Sequence, residues 1–124
     1  MVPPDLRSED VLAQSKHVSV ALASTIERAG IKNVVALSSI GADTTEKTGS
    51  VAALTRLEQN LGEIAGLNLL CLRSGYFMEN TLAQIGMLHV LGKTTEPLRG
   101  DLKLPMIATP DIGVFAADAL LKLS

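Results

Sequence analysis

The amino-acid sequence predicts an α/β domain, a parallel sheet with helices packed on its faces. Helix-period segments and strand-like apolar runs alternate along the 124 residues, the order that builds a parallel sheet through helical crossovers. Two of those runs, Val34-Val35-Ala36-Leu37 and Leu69-Leu70-Cys71-Leu72, are short, continuously apolar and end in small or polar residues, as buried parallel strands do. Glycines stand just past the helical patterns, at Gly30, Gly66 and Gly92, where a left-handed residue ends a helix.

The elements follow in order. Residues 8–29 form a helix, with Ser8 as cap, Glu9 and Asp10 against the helix dipole, and Val11, Leu12, Val18, Leu22 and Ile26 on one stripe. Residues 33–39 form a strand, and residues 40–49 a polar loop. Residues 50–65 form a second helix, its stripe made of Val51, Leu54, Leu57, Leu61 and Ile64. Residues 67–73 are the next strand, broken by Gly75, and a third helix runs over 77–91. After a polar stretch, 105–108 is a short strand. A last helix then opens with Thr109 as cap, Pro110 in its first position and Asp111 in its first turn. The span 33–73 is one strand–helix–strand crossover of right-handed sense.

Composition excludes several classes. One domain is all the length suits. The formal net charge is −2 with no long run of one sign, against a nucleic-acid surface, which needs clustered Lys and Arg. The start is neither basic nor apolar enough for a signal peptide, and no apolar run approaches membrane-spanning length. The single cysteine, Cys71, forms no internal disulfide and stands in no metal-ligand spacing; it reads as a small buried strand residue. A reducing, cytoplasmic setting is expected. His17 and His89 read as structural. Met78, Met87 and Met106 are expected to fill the core.

In an open parallel sheet, ligands bind outside the carboxyl ends of the strands. Those ends are Ser38-Ser39-Ile40-Gly41, Arg73-Ser74-Gly75-Tyr76-Phe77 and Ala108-Thr109. Three aromatics are all the chain has, and two of them, Tyr76 and Phe77, fall at one exit, where they can wall a pocket for a ring system or pack beneath the loop. Ser38 and Ser39 either face a ligand or satisfy backbone groups at the strand end, and Gly41 either faces it or serves the turn. Asn80 bonds a ligand or the loop. For Arg73, an ion pair is the commoner fate than a phosphate.

Val34 to Ala42, Leu72-Arg73-Ser74-Gly75-Tyr76-Phe77-Met78-Glu79-Asn80 and Leu104 to Gly113 occur in the order found in NmrA-like proteins, and the chain resembles that branch of the atypical short-chain dehydrogenases/reductases over nearly its whole length. The middle segment is similar to the family's Leu-Arg-Pro-Gly-Tyr-Phe-Met-Glu-Asn, with Ser74 in place of the proline, and Glu58 and Leu61 in the second helix fit the spacing. The resemblance implies a partial doubly wound parallel sheet, the C-terminal half of a Rossmann-type domain flanked by helices, in one partial NAD(P)-binding domain over 1–124. It implies that Val2-Pro3-Pro4 ends an earlier strand, and that the glycine-rich strand–turn–helix that grips the pyrophosphate is missing, so that the chain is an internal fragment. The cofactor positions so implied are Pro3, Pro4, Ser38, Ser39, Gly41, Gly75, Tyr76 and Phe77; Tyr76, Phe77 and Asn80 would meet substrate.

The wider superfamily's Tyr-x-x-x-Lys pair has no counterpart in Val51 to Glu58, and no catalytic residue is assigned. The resemblance therefore implies an NAD(P)H-dependent oxidoreductase acting on a small molecule, truncated here and binding cofactor weakly or not at all by itself. Two alternatives stand beside it: a redox-sensing regulator that binds a partner protein, and a gene fragment without function. An unpaired edge on the 33–39 strand is expected to favour self-association or poor solubility.

Overall fold

The computed structural model describes residues 11–44, 51–94 and 99–123. The predicted cap Ser8, with Pro3 and Pro4, lies outside them. The described chain runs α1 (Val11–Arg28), β1 (Asn33–Ser39), α2 (Ala52–Gly62), β2 (Asn68–Ser74), β3 (Tyr76–Phe77), a 3-10 helix (Met78–Leu82), α3 (Ala83–Leu91), β4 (Met106–Ile107) and α4 (Thr109–Leu123). The class is α/β, with parallel pairing throughout: β1 lies beside β2, and β3 beside β4.

The face α1 buries differs from the predicted stripe. Ser15, Ser19 and Ala23 are buried at four-residue intervals, with Val18 and Ile26 partly covered, while Leu22 is exposed. Small side chains let α1 and α2 approach closely, and the large residues flank the seam. The buried Ser19 hydroxyl donates to the Lys16 carbonyl at 3.0 Å and accepts from Asn60 Nδ2 at 3.2 Å, so no polar group is stranded there. Helix α1 ends as its sequence predicts. Gly30 has φ +66°, its N–H reaches the Glu27 carbonyl, and the Ile31 N–H reaches back to Ile26 at 3.2 Å, the paired bonds of a Schellman stop.

The register of β1 and β2 is unbroken from Asn33 opposite Asn68 to Ser39 opposite Ser74. Ala23, Ala36, Leu57 and Leu61 form the core, with Val34, Leu69 and Cys71 packed against it. The strand members of this cluster alternate along β1 and β2, so α1 and α2 cover one face of the sheet. Helix α4 also packs on both strands yet lends the cluster no residue, which places it on the other face. Its end is tied to the sheet by Asn33, whose Nδ2 donates to the Leu123 carbonyl while its Oδ1 accepts from Asn68 Nδ2, both at 2.8 Å. Among the described residues, the far edge of β1 pairs with no strand.

Three further expectations are corrected. The third helix does not begin at Phe77: that residue belongs to β3, and the chain passes through a 3-10 turn before α3. Thr109 is not the cap of α4 but its first residue, since the Ile112 N–H already bonds the Ala108 carbonyl. Met78, Met87 and Met106 are exposed, because the 3-10 turn, helix α3 and strand β4 that carry them leave those faces uncovered among the described residues. No described helix is long and apolar enough to cross a membrane.

Candidate functional site

Parallel pairing brings the carboxyl ends of β1 and β2 side by side. Ser38 stands opposite Arg73 and Ser39 opposite Ser74. The Ile40 N–H extends the ladder to the Ser74 carbonyl at 3.0 Å, and the Ser74 hydroxyl donates to the Ser38 carbonyl at 3.2 Å. Positions 38–41 and 73–77, distant in sequence, thus share one end of the sheet. Gly41 turns the chain away with φ +87°, in open space.

Gly75 serves a different need. A Cβ there would lie 2.2 Å from the Pro105 carbonyl oxygen, which accepts the Tyr76 N–H at 2.9 Å. Close approach of the 105–107 backbone, rather than a turn, requires glycine, and it seats β4 against Tyr76 and Phe77 in parallel register. Both aromatics are half-buried, and Asn80 is exposed on the 3-10 turn that follows.

The side chains at the strand ends are largely engaged with one another. Arg73 grips Glu58 of α2 through Nε (3.1 and 3.2 Å) and Nη2 (2.6 Å), the bidentate fork that makes guanidinium–carboxylate pairs strong. The Glu58 side chain is only 11% exposed, and the Arg73 hydrogen bond holds its carboxyl below the usual range, against burial that pushes it up. Asp43, in the loop after β1, stands 4.0 Å from the same guanidinium. The Ser38 hydroxyl is fully buried and faces Glu58, which it also helps keep ionised, though it closes no hydrogen bond of good geometry. Burial, and then the Glu58 charge, raise the Cys71 thiol, so this cysteine is not an activated nucleophile.

A second carboxylate closes the α4 end. Glu79 Oε1 accepts both the Thr109 N–H at 2.8 Å and its hydroxyl at 2.9 Å. Its own backbone N–H, and then these two donors, hold the carboxyl low. Ala108 has only a methyl side chain and cannot cap the helix, so Glu79 does so from 30 residues away.

This arrangement does not fit a dinucleotide's pyrophosphate. Arg73 is taken by Glu58, the α4 N-terminus by Glu79, and Ser38 is turned into the protein. Ser39 Oγ bonds the neighbouring Ile40 carbonyl at 3.2 Å. What the strand ends offer a ligand is backbone, the Gly41 turn and the Tyr76–Phe77 step. A shallow groove of about 330 Å³ lies between the last turns of α1 and α2, lined by Val20, Asn60, Ile64 and the carboxylates of Glu27 and Glu63 among others; these turns lead into the amino ends of the strands, away from positions 38 and 75. No group of three or more metal-ligating side chains occurs among the described residues.

Glu58 and Glu79 enter the sequence reading only as parts of the family resemblance, with no role assigned to either. Glu58 carried a signal, a charge among Leu54, Leu57 and Leu61 on the covered side of α2; Glu79 carried none, because its partner is fixed only by the fold. Comparison of the chain with protein-family models, with curated proteins and with solved structures gives no match.

Proposed function

We propose that the chain is an NmrA-like domain of Rossmann type, part of a doubly wound sheet, that keeps the ring-binding, substrate-side half of an NAD(P) pocket and has no grip of its own on the pyrophosphate. The observation that carries this reading is the in-register exit of β1 and β2 beside the Tyr76–Phe77 step, the place where ligands meet open α/β sheets. The three-segment resemblance supports the family, and the engaged Arg73 and Glu79 support the missing phosphate grip. Ser39, Gly41, Tyr76, Phe77 and Asn80 are the contact residues for a flat ring, and Gly75 acts behind them by seating β4. Pro3 and Pro4 keep their assignment from the resemblance alone. A cofactor bound by the intact domain would supply hydride; this chain's residues would orient the ring and keep water from one side of it. The setting proposed is the reducing cytoplasm.

Chemical-shift mapping tests the reading. Nicotinamide mononucleotide at millimolar concentration is expected to move the amides of Ser39, Gly41, Tyr76 and Phe77, while ADP moves none of them. Calorimetry with NADPH is expected to give no affinity tighter than about a millimolar; micromolar binding, or ring-induced shifts elsewhere, would overturn the proposal. A second reading, a redox-sensing regulator that captures a partner protein, is favoured by the absence of Tyr and Lys from Val51 to Glu58. NADPH consumption with a quinone by a version carrying the glycine-rich segment would decide for the oxidoreductase, and capture of a partner without turnover for the regulator.

A further inference from the structure

The sulfur side chains divide sharply by place. Cys71 packs against the apolar cluster, and burial and then the Glu58 charge hold its thiol above the ordinary range, so little thiolate forms to meet an oxidant. The three described methionines are the opposite. Met78, Met87 and Met106 are 47%, 36% and 41% exposed. All three stand on the segments around the Tyr76–Phe77 step. Met78 opens the 3-10 turn that follows it, Met87 lies in α3, and Met106 begins β4. Thioethers so placed meet a peroxide from solvent without any opening of the fold.

Met106 differs from the other two in its neighbour. In the parallel pairing of β3 and β4 it stands directly opposite Tyr76. The two side chains therefore leave the same face of the strand pair side by side, within the range where a thioether attracts an aromatic ring. The backbone holds them there: the Tyr76 N–H bonds the Pro105 carbonyl at 2.9 Å, and Gly75 allows that approach.

We propose that Met106 is a reversible oxidation site that sets the state of the Tyr76 wall. Hydrogen peroxide is the oxidant. The Met106 sulfur attacks one peroxide oxygen, the O–O bond breaks, and an S–O bond forms. The sulfur loses two electrons and the peroxide gains them. The departing hydroxide takes the proton of the transferred oxygen and leaves as water. The sulfoxide replaces an apolar, polarisable neighbour of Tyr76 with a polar, hydrogen-bond-accepting one. Because Met106 is exposed, the added oxygen stays in water and the strand pair stays formed, which separates a switch from oxidative damage to a core. Weaker binding of a flat ring at the step follows, and this consequence rests on the proposed function. The change at Tyr76 does not.

Peroxide treatment of the full chain, followed by peptide mass mapping and by proton–carbon spectra of the aromatic ring, tests the site; Tyr76 is the sole tyrosine, so its ring signals need no sorting. Met106 is expected to gain one oxygen, with the Tyr76 ring signals moving in step and the far-ultraviolet circular dichroism unchanged. A pair of methionine sulfoxide reductases, one for each epimer, is expected to return both. The combined variant Met78→Leu with Met87→Leu is expected to respond as wild type does, and Met106→Leu to stay folded and silent. The proposal is overturned by an unoxidised Met106 at peroxide levels that convert free methionine, by a Tyr76 response that survives in Met106→Leu, or by loss of the fold in step with the added oxygen. In the ligand arm, oxidation is expected to weaken nicotinamide mononucleotide binding about threefold or more in wild type and to leave Met106→Leu unaffected. Unchanged affinity alongside a Tyr76 response overturns control of the ring site. Absence of any nucleotide-induced shift before oxidation counts against the proposed function instead, and the Tyr76 response then decides for or against the oxidation site by itself.

Discussion

Arg73 and Glu58 illustrate how a charge at a strand end can hold structure. Their paired hydrogen bonds join β2 to α2 with the carboxylate nearly covered. Because that carboxyl is held below its usual range, the unfolded chain takes up the proton first as pH falls. Stability from the pair is therefore complete above the unfolded value, about 4.3, and is lost as pH drops through the lower folded one. In thermal melts between pH 7 and 3, Glu58→Gln is expected to melt below wild type at neutral pH and to converge with it at the acid end; a constant gap would refute the linkage. Two glycines separate two kinds of backbone demand. Gly75→Ala meets the Pro105 carbonyl and is expected to cost about 1–3 kcal/mol or more in urea unfolding. Gly41→Ala, unobstructed but at positive φ, is expected to cost only about 1 kcal/mol. Pattern reading picked out both as site glycines, and it could not foresee that Gly75 is held by the close approach of a segment 30 positions on.

At the scale of elements, strands were more legible than helix faces. Residues 33–39 fall where the apolar run placed them, since a buried parallel strand shows itself by composition alone. The stripe of α1 misled, because a tight helix pair selects Ser15, Ser19 and Ala23 over Leu22, and polar Ser19 becomes acceptable only once Asn60 arrives from α2. Helix starts were the least legible. The cap of α4 comes from Glu79, a residue that local spacing cannot connect to it. Glu79→Ala is expected to loosen the first turn of α4, seen as faster amide exchange at Thr109 and Ile112 with α1 and α2 unchanged; uniform loosening would mean that Glu79 acts on the whole fold instead. The candidate site was legible in outline, as the strand exits, and not in chemistry, because Arg73, Ser38 and Glu58 engage one another across two elements.

For the whole molecule, the order of contacts along the chain sets the order in which it comes apart. The α1–β1–α2–β2 segment contains the entire apolar cluster, built from neighbours in sequence, and such units open last. Helix α4 reaches the same sheet over a separation of 90 residues, through Asn33 and the Leu123 carbonyl, and adds one well-buried side chain, Ile112. Helix α4 is thus a strap across a sheet whose apolar cluster lies wholly in the preceding elements. Native-state hydrogen exchange is expected to resolve two openings, the strap first and at lower denaturant, with protection in 33–39 and 68–74 surviving it. Should both regions exchange in one step, the strap would be as integral as the strands it covers.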